Sequence, residues 1–216
     1  MKDVSTTPGI FVTGTDTGVG KTVASAVLVS GLEADYWKPI QCGAAEPTDR
    51  QWVRERTGLP AERFHQETYN LVRPLSPHAA AELEGVEIEL SAFRLPRVPE
   101  SRPLIVEGAG GIMVPLNKRH FMVDLMRRFG LPVVLVARST LGTINHSLMS
   151  LAHLRRAGLE VRGVILNGPE NRINLRAIER FGRTRVLGRI PALAEIGPGN
   201  LKQVFEQDLS SMGWSL

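Results

Sequence analysis

One segment, residues 14–22 with the sequence GTDTGVGKT, constrains this chain more than any other. It starts at the end of an apolar run, residues 10–14, that predicts a buried strand, and it leads into a helix predicted over residues 20–34. In such a loop, consecutive backbone N–H groups turn toward a phosphate, and the helix N-terminus adds partial positive charge. Lys21 would reach the β- and γ-phosphates, and Thr22 would place its hydroxyl on Mg²⁺. The segment therefore predicts a phosphate-binding loop (P-loop) for a nucleotide.

The spacing of this loop differs from the usual pattern GxxxxGK[ST]. Counting back from Gly20, the first glycine would be residue 15, which is threonine, and Gly14 lies one position further away. A glycine-rich turn followed by a surface lysine is the alternative interpretation. The order of strand, loop, Gly-Lys-Thr and helix favours the P-loop.

Apolar runs rich in β-branched residues alternate with amphipathic segments along most of the chain. Further strands are predicted at residues 36–40, 104–107, 133–137, 161–166 and 186–190, and further helices at residues 121–129, 144–157 and 173–181. Pro39 weakens the first of these strand predictions, because proline cannot donate a ladder hydrogen bond. Residues 44–102 contain several prolines and no clear strand, and we interpret them as helices and loops beside the sheet edge.

Strands that are continuously apolar and separated by helices are typical of parallel sheets covered on both faces. We therefore expect an α/β fold of the P-loop NTPase type, with a mostly parallel sheet and helices on both faces. We also expect residues 1–216 to form a single domain.

Ligands of such sheets bind beyond the carboxyl ends of the strands, so charged residues there are candidates for the site. Glu107 ends a predicted strand and precedes Gly-Ala-Gly-Gly at residues 108–111, where small residues let backbone approach a ligand. It would complete a metal site, or it is a solvated residue of a turn. Asp49 is a possible second carboxylate, although it fits the first turn of a helix equally well. Lys38 ends another predicted strand and either neutralises a transferring phosphoryl group or faces solvent.

The composition excludes several classes of protein but selects no ligand. With 43% hydrophobic and 22% charged residues the chain is typical of globular proteins, and no apolar run approaches the ~20 residues of a membrane span. The net charge of +4, with 21 arginines among 26 basic residues, permits a nucleotide, an acidic metabolite or nucleic acid. Cys42 is the single cysteine, and residues 1–8 lack a signal-peptide stretch, so we expect a cytoplasmic protein.

Together these motifs resemble the dethiobiotin synthetase family. The resemblance extends from residue 11 to about residue 195 and rests on residues 14–22, 38–40 (KPI), 76–78 (SPH), 106–111 (VEGAGG), 141–146 (LGTINH) and 187–191 (LGRIP). The longer-spaced P-loop is itself the family's pattern. The resemblance implies a homodimeric enzyme of biotin synthesis that uses ATP and Mg²⁺ to close the ureido ring of dethiobiotin from 7,8-diaminopelargonate and CO₂. It implies no nucleic-acid or membrane partner.

The resemblance also implies a role for each matching position. Catalysis would fall to Lys21 and Lys38, and Mg²⁺ binding to Thr22, Asp49 and Glu107. The nucleotide phosphates would be held by Gly18, Val19, Gly20, Lys21, Thr22 and Val23. The rest of the cofactor site would include Asp49, Glu107, Gly108, Ala109 and Gly110. The adenine would contact Asn167, Gly168, Pro191, Ala192 and Leu193. The substrate would contact Thr17, Lys38 and Cys42 of one subunit and, at its carboxylate, Gly142, Thr143, Ile144 and Asn145 of the other.

Two positions depart from the family's pattern. Cys42 stands where relatives usually have a hydroxyl residue near the substrate, so that hydrogen bond would be weakened or lost. Gly168 stands where the family often has aspartate after the adenine-reading asparagine, here Asn167. We therefore expect these two positions to affect the binding of substrate and base.

Two other classes of protein share the expected fold. ParA/MinD-type ATPases act as nucleotide switches, and their P-loop carries a signature lysine five residues before the P-loop lysine, where this chain has Asp16. An amidotransferase such as cobyrinate amidase would need an attached glutaminase domain, for which we expect no room in 216 residues. Both are less favoured than the synthetase.

Overall fold

A parallel β-sheet lies between two layers of helices in the computed structural model, which describes residues 8–44, 47–210 and 214. The strands are β1 (Gly9–Gly14), β2 (Asp35–Trp37), β3 (Ile40–Cys42), β4 (Phe64–His65), β5 (Tyr69–Leu71), β6 (Leu104–Gly111), β7 (Val133–Arg138), β8 (Val161–Asn167) and β9 (Val186–Ile190). The helices are α1 (Lys21–Leu32), α2 (Asp49–Thr57), α3 (Pro77–Glu84), α4 (Met122–Phe129), α5 (Thr143–Arg156), α6 (Arg172–Gly182) and α7 (Pro198–Val204).

Seven strands form the main sheet, in the order β4-β2-β6-β1-β7-β8-β9. Every neighbouring pair is parallel, so the carboxyl ends of all seven strands lie along one edge. Strands β3 and β5 form a separate two-stranded parallel sheet. The expected α/β fold with a mostly parallel sheet is confirmed.

The core lies on both faces of the main sheet, and β1 shows why. All six residues of β1 are buried. Ile10 and Val12 join the apolar cluster that includes α1 and α7, whereas Phe11 joins the cluster that includes α4. Successive side chains of a strand point to opposite faces. A central strand whose two faces are both covered by helices therefore appears in the sequence as an unbroken apolar run.

The helices are short, and α1 is buried over consecutive residues 24–30, whereas α4 is amphipathic. Helix α4 buries Met122, Leu125 and Met126 and exposes Arg127 and Arg128. Helix α5, with 14 residues, is the longest of those described.

No helix within residues 8–44 and 47–210 is long and apolar enough to cross a lipid bilayer. Residues 1–7, where we predict no signal-peptide stretch, lie outside the described part of the chain.

The predicted strand at residues 36–40 is interrupted. Strand β2 ends at Trp37, the chain turns at Lys38 and Pro39, and β3 begins at Ile40 in the second sheet. Pro39 has no N–H for a ladder bond, and its carbonyl accepts instead from the backbone N–H groups of Thr68 and Tyr69. The proline that weakens the prediction thus marks where the chain changes sheets.

The interpretation of residues 44–102 as free of strands is wrong at two places. Strand β4 is the edge strand of the main sheet, next to β2, and β5 pairs with β3. These strands have two and three residues, too few to show an alternating pattern. The same segment contains α2 and α3, as expected. The predicted helix at residues 20–34 ends early, at Leu32, because Glu33 adopts a left-handed φ of 49°.

Candidate active site

The carboxyl ends of β1, β2 and β6 bring the P-loop, Lys38 and Glu107 together. Val12 of β1 lies opposite Glu107 of β6, and Trp37 of β2 lies opposite Val106. The three segments line a cavity of about 710 Å³, which we call the central cavity. The predicted site residues that line it are Thr17, Gly18, Gly20, Lys21, Thr22, Val23, Lys38, Cys42, Asp49, Glu107, Ala109 and Gly110.

Glycine is required within the P-loop at Gly20. Its φ of 94° lies in the left-handed region, and a Cβ there would lie 1.9 Å from Nδ2 of Asn167. Gly20 is the N-cap residue of α1, and no described side chain caps this helix. The first N–H groups of α1 can therefore bind an anion. The Lys21 ammonium donates to the Asp16 carbonyl at 2.9 Å, on the same side of the loop.

The carboxylate of Glu107 is the most heavily bonded group of the site. It is fully buried and accepts hydrogen bonds from Thr22 Oγ1 at 2.8 Å, from Tyr36 Oη at 2.9 Å and from Lys38 Nζ at 3.2 Å. A buried carboxylate of this kind is tolerated only when donors surround it. We did not predict one of its donors, Tyr36, because a tyrosine within an apolar strand is expected to belong to the hydrophobic core.

Asp49 satisfies both of the interpretations left open by the sequence. It is the first residue of α2, after a Thr48 N-cap whose capping box includes Gln51. Its carboxylate also accepts from Thr22 Oγ1 at 3.3 Å and forms an ion pair with Lys38. The capping box therefore orients the start of α2 so that Asp49 faces the P-loop.

The two lysines of the site have opposite pKa shifts. Burial disfavours the charge of Lys38, but the carboxylates of Glu107 and Asp49 outweigh it and raise the pKa of Lys38 above its ordinary value. Burial lowers the pKa of Lys21, against the opposing charge of Glu107. Glu107 and Asp49 thus keep Lys38 in its charged ammonium form. The charge of Lys21 is disfavoured by burial, so a bound phosphate would stabilise it.

The oxygen atoms around Thr22 fit a magnesium ion. The Thr22 hydroxyl contacts one oxygen of Asp49 and one of Glu107, and hydroxyl and carboxylate oxygens are ligands that Mg²⁺ prefers. Magnesium sites in nucleotide enzymes usually take one or two carboxylates, with substrate phosphates and water as the remaining ligands. The described residues contain no cluster of three or more His, Cys, Asp or Glu side chains that could hold a metal by itself.

Part of the lining of the central cavity, which we call the apolar wall, is more apolar than the part formed by the P-loop, Lys38 and the carboxylates. Cys42 ends β3 and lines this wall, and burial raises the pKa of its thiol to about 11. The wall also contains Pro74, Leu75, Ser76, Pro77 and Val114, none of which we predicted as site residues. The motif at residues 76–78 was the available signal, since it carries part of the family resemblance.

Asn167 and Gly168 lie beside the P-loop rather than in the central cavity. Asn167 ends β8, and its side-chain amide donates to the Val19 carbonyl at 3.0 Å. Gly168 has a φ of 126°, and a Cβ there would lie 2.6 Å from Ser139 Oγ. An aspartate at this position would require Ser139 to move. The close approach of Ser139 thus restricts side chains at the position where the family often has aspartate and this chain has glycine.

The remaining predicted residues lie elsewhere in this chain. Gly142 and Thr143, at the start of α5, line a cavity of about 100 Å³ with Asp16 and Arg138. Ile144 and Asn145 follow in the same helix turn, Val19 also lines this smaller cavity, and Gly108 lines neither cavity. Pro191, Ala192 and Leu193 follow β9, and Leu193 lines a cavity of about 650 Å³ next to Trp52. The chain therefore does not bring residues 142–145 to its own Cys42.

The fold and the site define an ATP-binding protein of the P-loop class. A family model described as AAA domain matches residues 8–200. Among solved structures, a chain of the MinC:MinD cell division protein complex of Aquifex aeolicus is similar with a TM-score of 0.53 and 13% identity, over 93% of this chain and 88% of that chain. This likeness shows the shared fold alone.

Curated relatives narrow the class to one activity. The chain is 50% identical to ATP-dependent dethiobiotin synthetase BioD of Nitrobacter hamburgensis, over 91% of this chain and 92% of the relative. It is 53% identical to the biotin biosynthesis bifunctional protein BioCD of Bordetella avium, over 86% of this chain and 40% of that longer protein. The chain belongs to the dethiobiotin synthetase family, the ATP-dependent ligases of biotin biosynthesis, as the sequence motifs predict.

Proposed function

We propose that the central cavity is where this chain converts 7,8-diaminopelargonate, CO₂ and Mg·ATP into dethiobiotin, ADP and phosphate. One observation carries the proposal: the ends of three strands bring Lys21, Lys38 and Glu107, distant in sequence, around one phosphate-binding loop. In this reaction one amine adds to CO₂, loses a proton and forms a carbamate, whose oxygen attacks the γ-phosphorus of ATP and displaces ADP. The second amine then attacks the carbonyl carbon, phosphate leaves, and the ring closes.

Phosphoryl transfer needs mainly positioning and charge neutralisation, which the site's residues can supply. We assign residues 18–23, with residues 108–110, to the triphosphate and Lys21 to the β- and γ-phosphates. Lys38 shares the Glu107 and Asp49 carboxylates with Thr22 of the P-loop and keeps its positive charge. We assign it to the carbamate and the transferring phosphoryl group, where it would offset the negative charge that develops.

We assign Thr22, Asp49 and Glu107 to Mg²⁺. The mutual contacts of their oxygen atoms support this assignment. When bound, the ion neutralises oxygens of the β- and γ-phosphates. The chain's part is to hold three oxygen donors on one side of the P-loop, with Asp49 set by the capping box and Glu107 by the buried end of β6.

We assign the apolar wall of the cavity, with Thr17 and Cys42, to the hydrocarbon chain of the substrate. The carboxylate would be bound by residues 142–145 of a second subunit, at the N-terminus of α5. Exposed apolar side chains beside this segment support a homodimer: Leu141 is fully exposed, and Met149 is 64% exposed. Such side chains favour burial against a second copy.

Asn167, Gly168 and residues 191–193 are assigned to the adenine, because the carboxyl end of β8 contacts the P-loop and β9 is the neighbouring strand. We also propose that residues 1–216 are one domain, a proposal that the continuous seven-stranded sheet supports. A cytoplasmic location is proposed on the single cysteine, which forms no internal disulfide.

The direct test is product formation by the purified protein. With 7,8-diaminopelargonate, bicarbonate, Mg²⁺ and ATP, we expect dethiobiotin, ADP and phosphate in equal amounts, measured by mass spectrometry and phosphate release. Omission of any one component should abolish the product. ATP-dependent binding to DNA or lipid vesicles with no dethiobiotin would overturn the proposal and favour a nucleotide switch.

Cys42 provides a test of the substrate wall. Because its pKa is about 11, only about 0.1% of the thiol is ionised at pH 8. Alkylation by iodoacetamide should therefore be slow at pH 8, and its rate should rise about tenfold per pH unit up to pH 10. Saturating diaminopelargonate should slow it. Mass spectrometry of the peptide that contains Cys42 measures alkylation at this site, the chain's single cysteine, apart from alkylation of amines at high pH.

Glutathione alkylated in the same buffers is the control for the reagent. Equal rates with and without diaminopelargonate would place Cys42 away from the bound substrate. A rate that is high already at pH 8 would contradict the raised pKa.

A further inference from the structure

We infer that Tyr36 is a positioning residue of this active site, whose phenol holds the Glu107 carboxylate in the orientation that metal binding requires. The inference rests on the proposed function, since it takes Glu107 to be a metal ligand. It concerns a residue that neither the P-loop nor the strand-end motifs include.

The two oxygens of Glu107 have different partners. Tyr36 Oη donates to Oε2 at 2.9 Å, whereas Oε1 accepts from Thr22 at 2.8 Å and from Lys38 at 3.2 Å. The phenol thus binds the oxygen that faces the protein interior. The other oxygen, Oε1, faces Thr22 of the P-loop, where a metal ion would bind. Loss of the phenol would leave a fully buried Oε2 without its described donor, and the carboxylate would turn to find another.

The ring of Tyr36 has little freedom to move. Tyr36 is fully buried at the centre of β2, paired in register with Ile105 of β6 and Phe64 of β4. Its ring also lies 6.3 Å from that of Phe64. Side chains two residues apart on a strand point to the same face, and accordingly Tyr36 and Lys38 both reach Glu107. Strand β2 therefore sets the position of two donors at once.

A phenol suits this task because it is a neutral donor. Burial and the charge of Glu107 raise the pKa of Tyr36 well above its ordinary value, so the hydroxyl keeps its proton. A lysine or arginine here would neutralise part of the charge of Glu107. Tyr36 orients the carboxylate without adding a second positive charge to that of Lys38.

The test is Tyr36→Phe, which removes one hydroxyl and keeps the ring. Mg²⁺ affinity is measured by calorimetry in the presence of a non-hydrolysable ATP analogue, and analogue affinity is measured separately without metal. We expect the affinity for Mg²⁺ to fall by about 10–100-fold, the usual effect of removing a partner of a metal ligand. Analogue affinity without metal should stay within about twofold, since Tyr36 lines neither the P-loop nor the cavity.

Tyr69→Phe is the matched control, because Tyr69 is the other tyrosine of the chain and lies outside the central cavity. Its hydroxyl accepts from the Glu89 backbone N–H at 3.0 Å. Its removal should leave Mg²⁺ affinity unchanged. The melting transition of each variant is determined by circular dichroism. All affinities are measured below that temperature, so that unfolding does not contribute.

A double-mutant cycle with Glu107→Gln separates positioning from general destabilisation. If Tyr36 acts through Glu107, Tyr36→Phe should change Mg²⁺ affinity by less than about twofold in the Glu107→Gln background. An equal loss in both backgrounds would overturn the inference. So would unchanged affinity in Tyr36→Phe while Glu107→Gln weakens binding. Unchanged affinity in Glu107→Gln itself would instead contradict the proposed metal site, and the inference would fall with it.

Discussion

Replacing Lys38 with alanine should lower kcat for dethiobiotin formation by about 10²–10³-fold, the usual cost of removing one donor that stabilises transition-state charge. The ammonium of Lys38 is buried at the carboxyl end of β2 and is held charged by Glu107 and Asp49. Among the described residues that line the cavity, Lys21 is the other lysine, and its ammonium donates to the Asp16 carbonyl of the P-loop. The measurement is steady-state product formation at saturating ATP, Mg²⁺ and diaminopelargonate.

The Lys38→Ala variant should still bind Mg²⁺ with the ATP analogue. Removal of the ammonium leaves the carboxylates of Asp49 and Glu107 without this cationic partner, so their attraction for a metal ion should be kept or increased. Retained metal affinity with lost turnover would separate catalysis from collapse of the site. Lys202→Ala, at an exposed position of α7, is the control. Turnover of Lys38→Ala within twofold of wild type would refute the role of Lys38.

Replacing Gly20 with alanine should weaken ATP binding by about 100-fold or more, since each hydrogen bond to a charged group contributes about 1.5–3 kcal/mol. The new Cβ would lie 1.9 Å from Nδ2 of Asn167, and the φ of 94° is unfavourable for any residue with a Cβ. Either Asn167 gives up its hydrogen bond to Val19, or the loop leaves its conformation. Both changes displace the backbone N–H groups that face the phosphates. Calorimetric titration with the ATP analogue measures the loss.

Gly85→Ala is a matched control for the backbone cost. Gly85, at the end of α3, also has a left-handed φ, of 65°, but no described atom lies within 4 Å of a Cβ built there. It should lower stability by about 1 kcal/mol and leave nucleotide binding unchanged. If Gly20→Ala binds the analogue as tightly as wild type, the close approach of Asn167 does not shape the loop.

The central part of the fold could be predicted because burial on both faces leaves a clear pattern. Strands β1, β6, β7, β8 and β9 are apolar runs between amphipathic helices, and their order along the chain predicts a parallel sheet. Strands β4 and β5 have two and three residues, so their pairing is decided by neighbours distant in sequence. Sequence periodicity carries no information about such contacts.

The site could be predicted where a residue type at a strand end has a chemical meaning. Lys21, Lys38 and Glu107 meet this condition, and the structure brings all three to the central cavity. Tyr36 does not meet it, because its hydroxyl matters only through the register that places β2 beside β6. Pro74 and Leu75 reach the cavity through the pairing of β5 with β3, which the pattern of apolar residues did not reveal.

The change of sheets at Lys38 and Pro39 divides the walls of the cavity between two scaffolds. The nucleotide wall belongs to the main sheet, whereas Cys42 and residues 74–77 belong to the short sheet and its continuation into α3. Substitutions in the short sheet can reshape the space for the organic substrate while the P-loop keeps its geometry. Cys42 and residues 74–77 can therefore be substituted without changing a residue of the P-loop, and the backbone between Trp37 and Ile40 is the boundary between the two sheets.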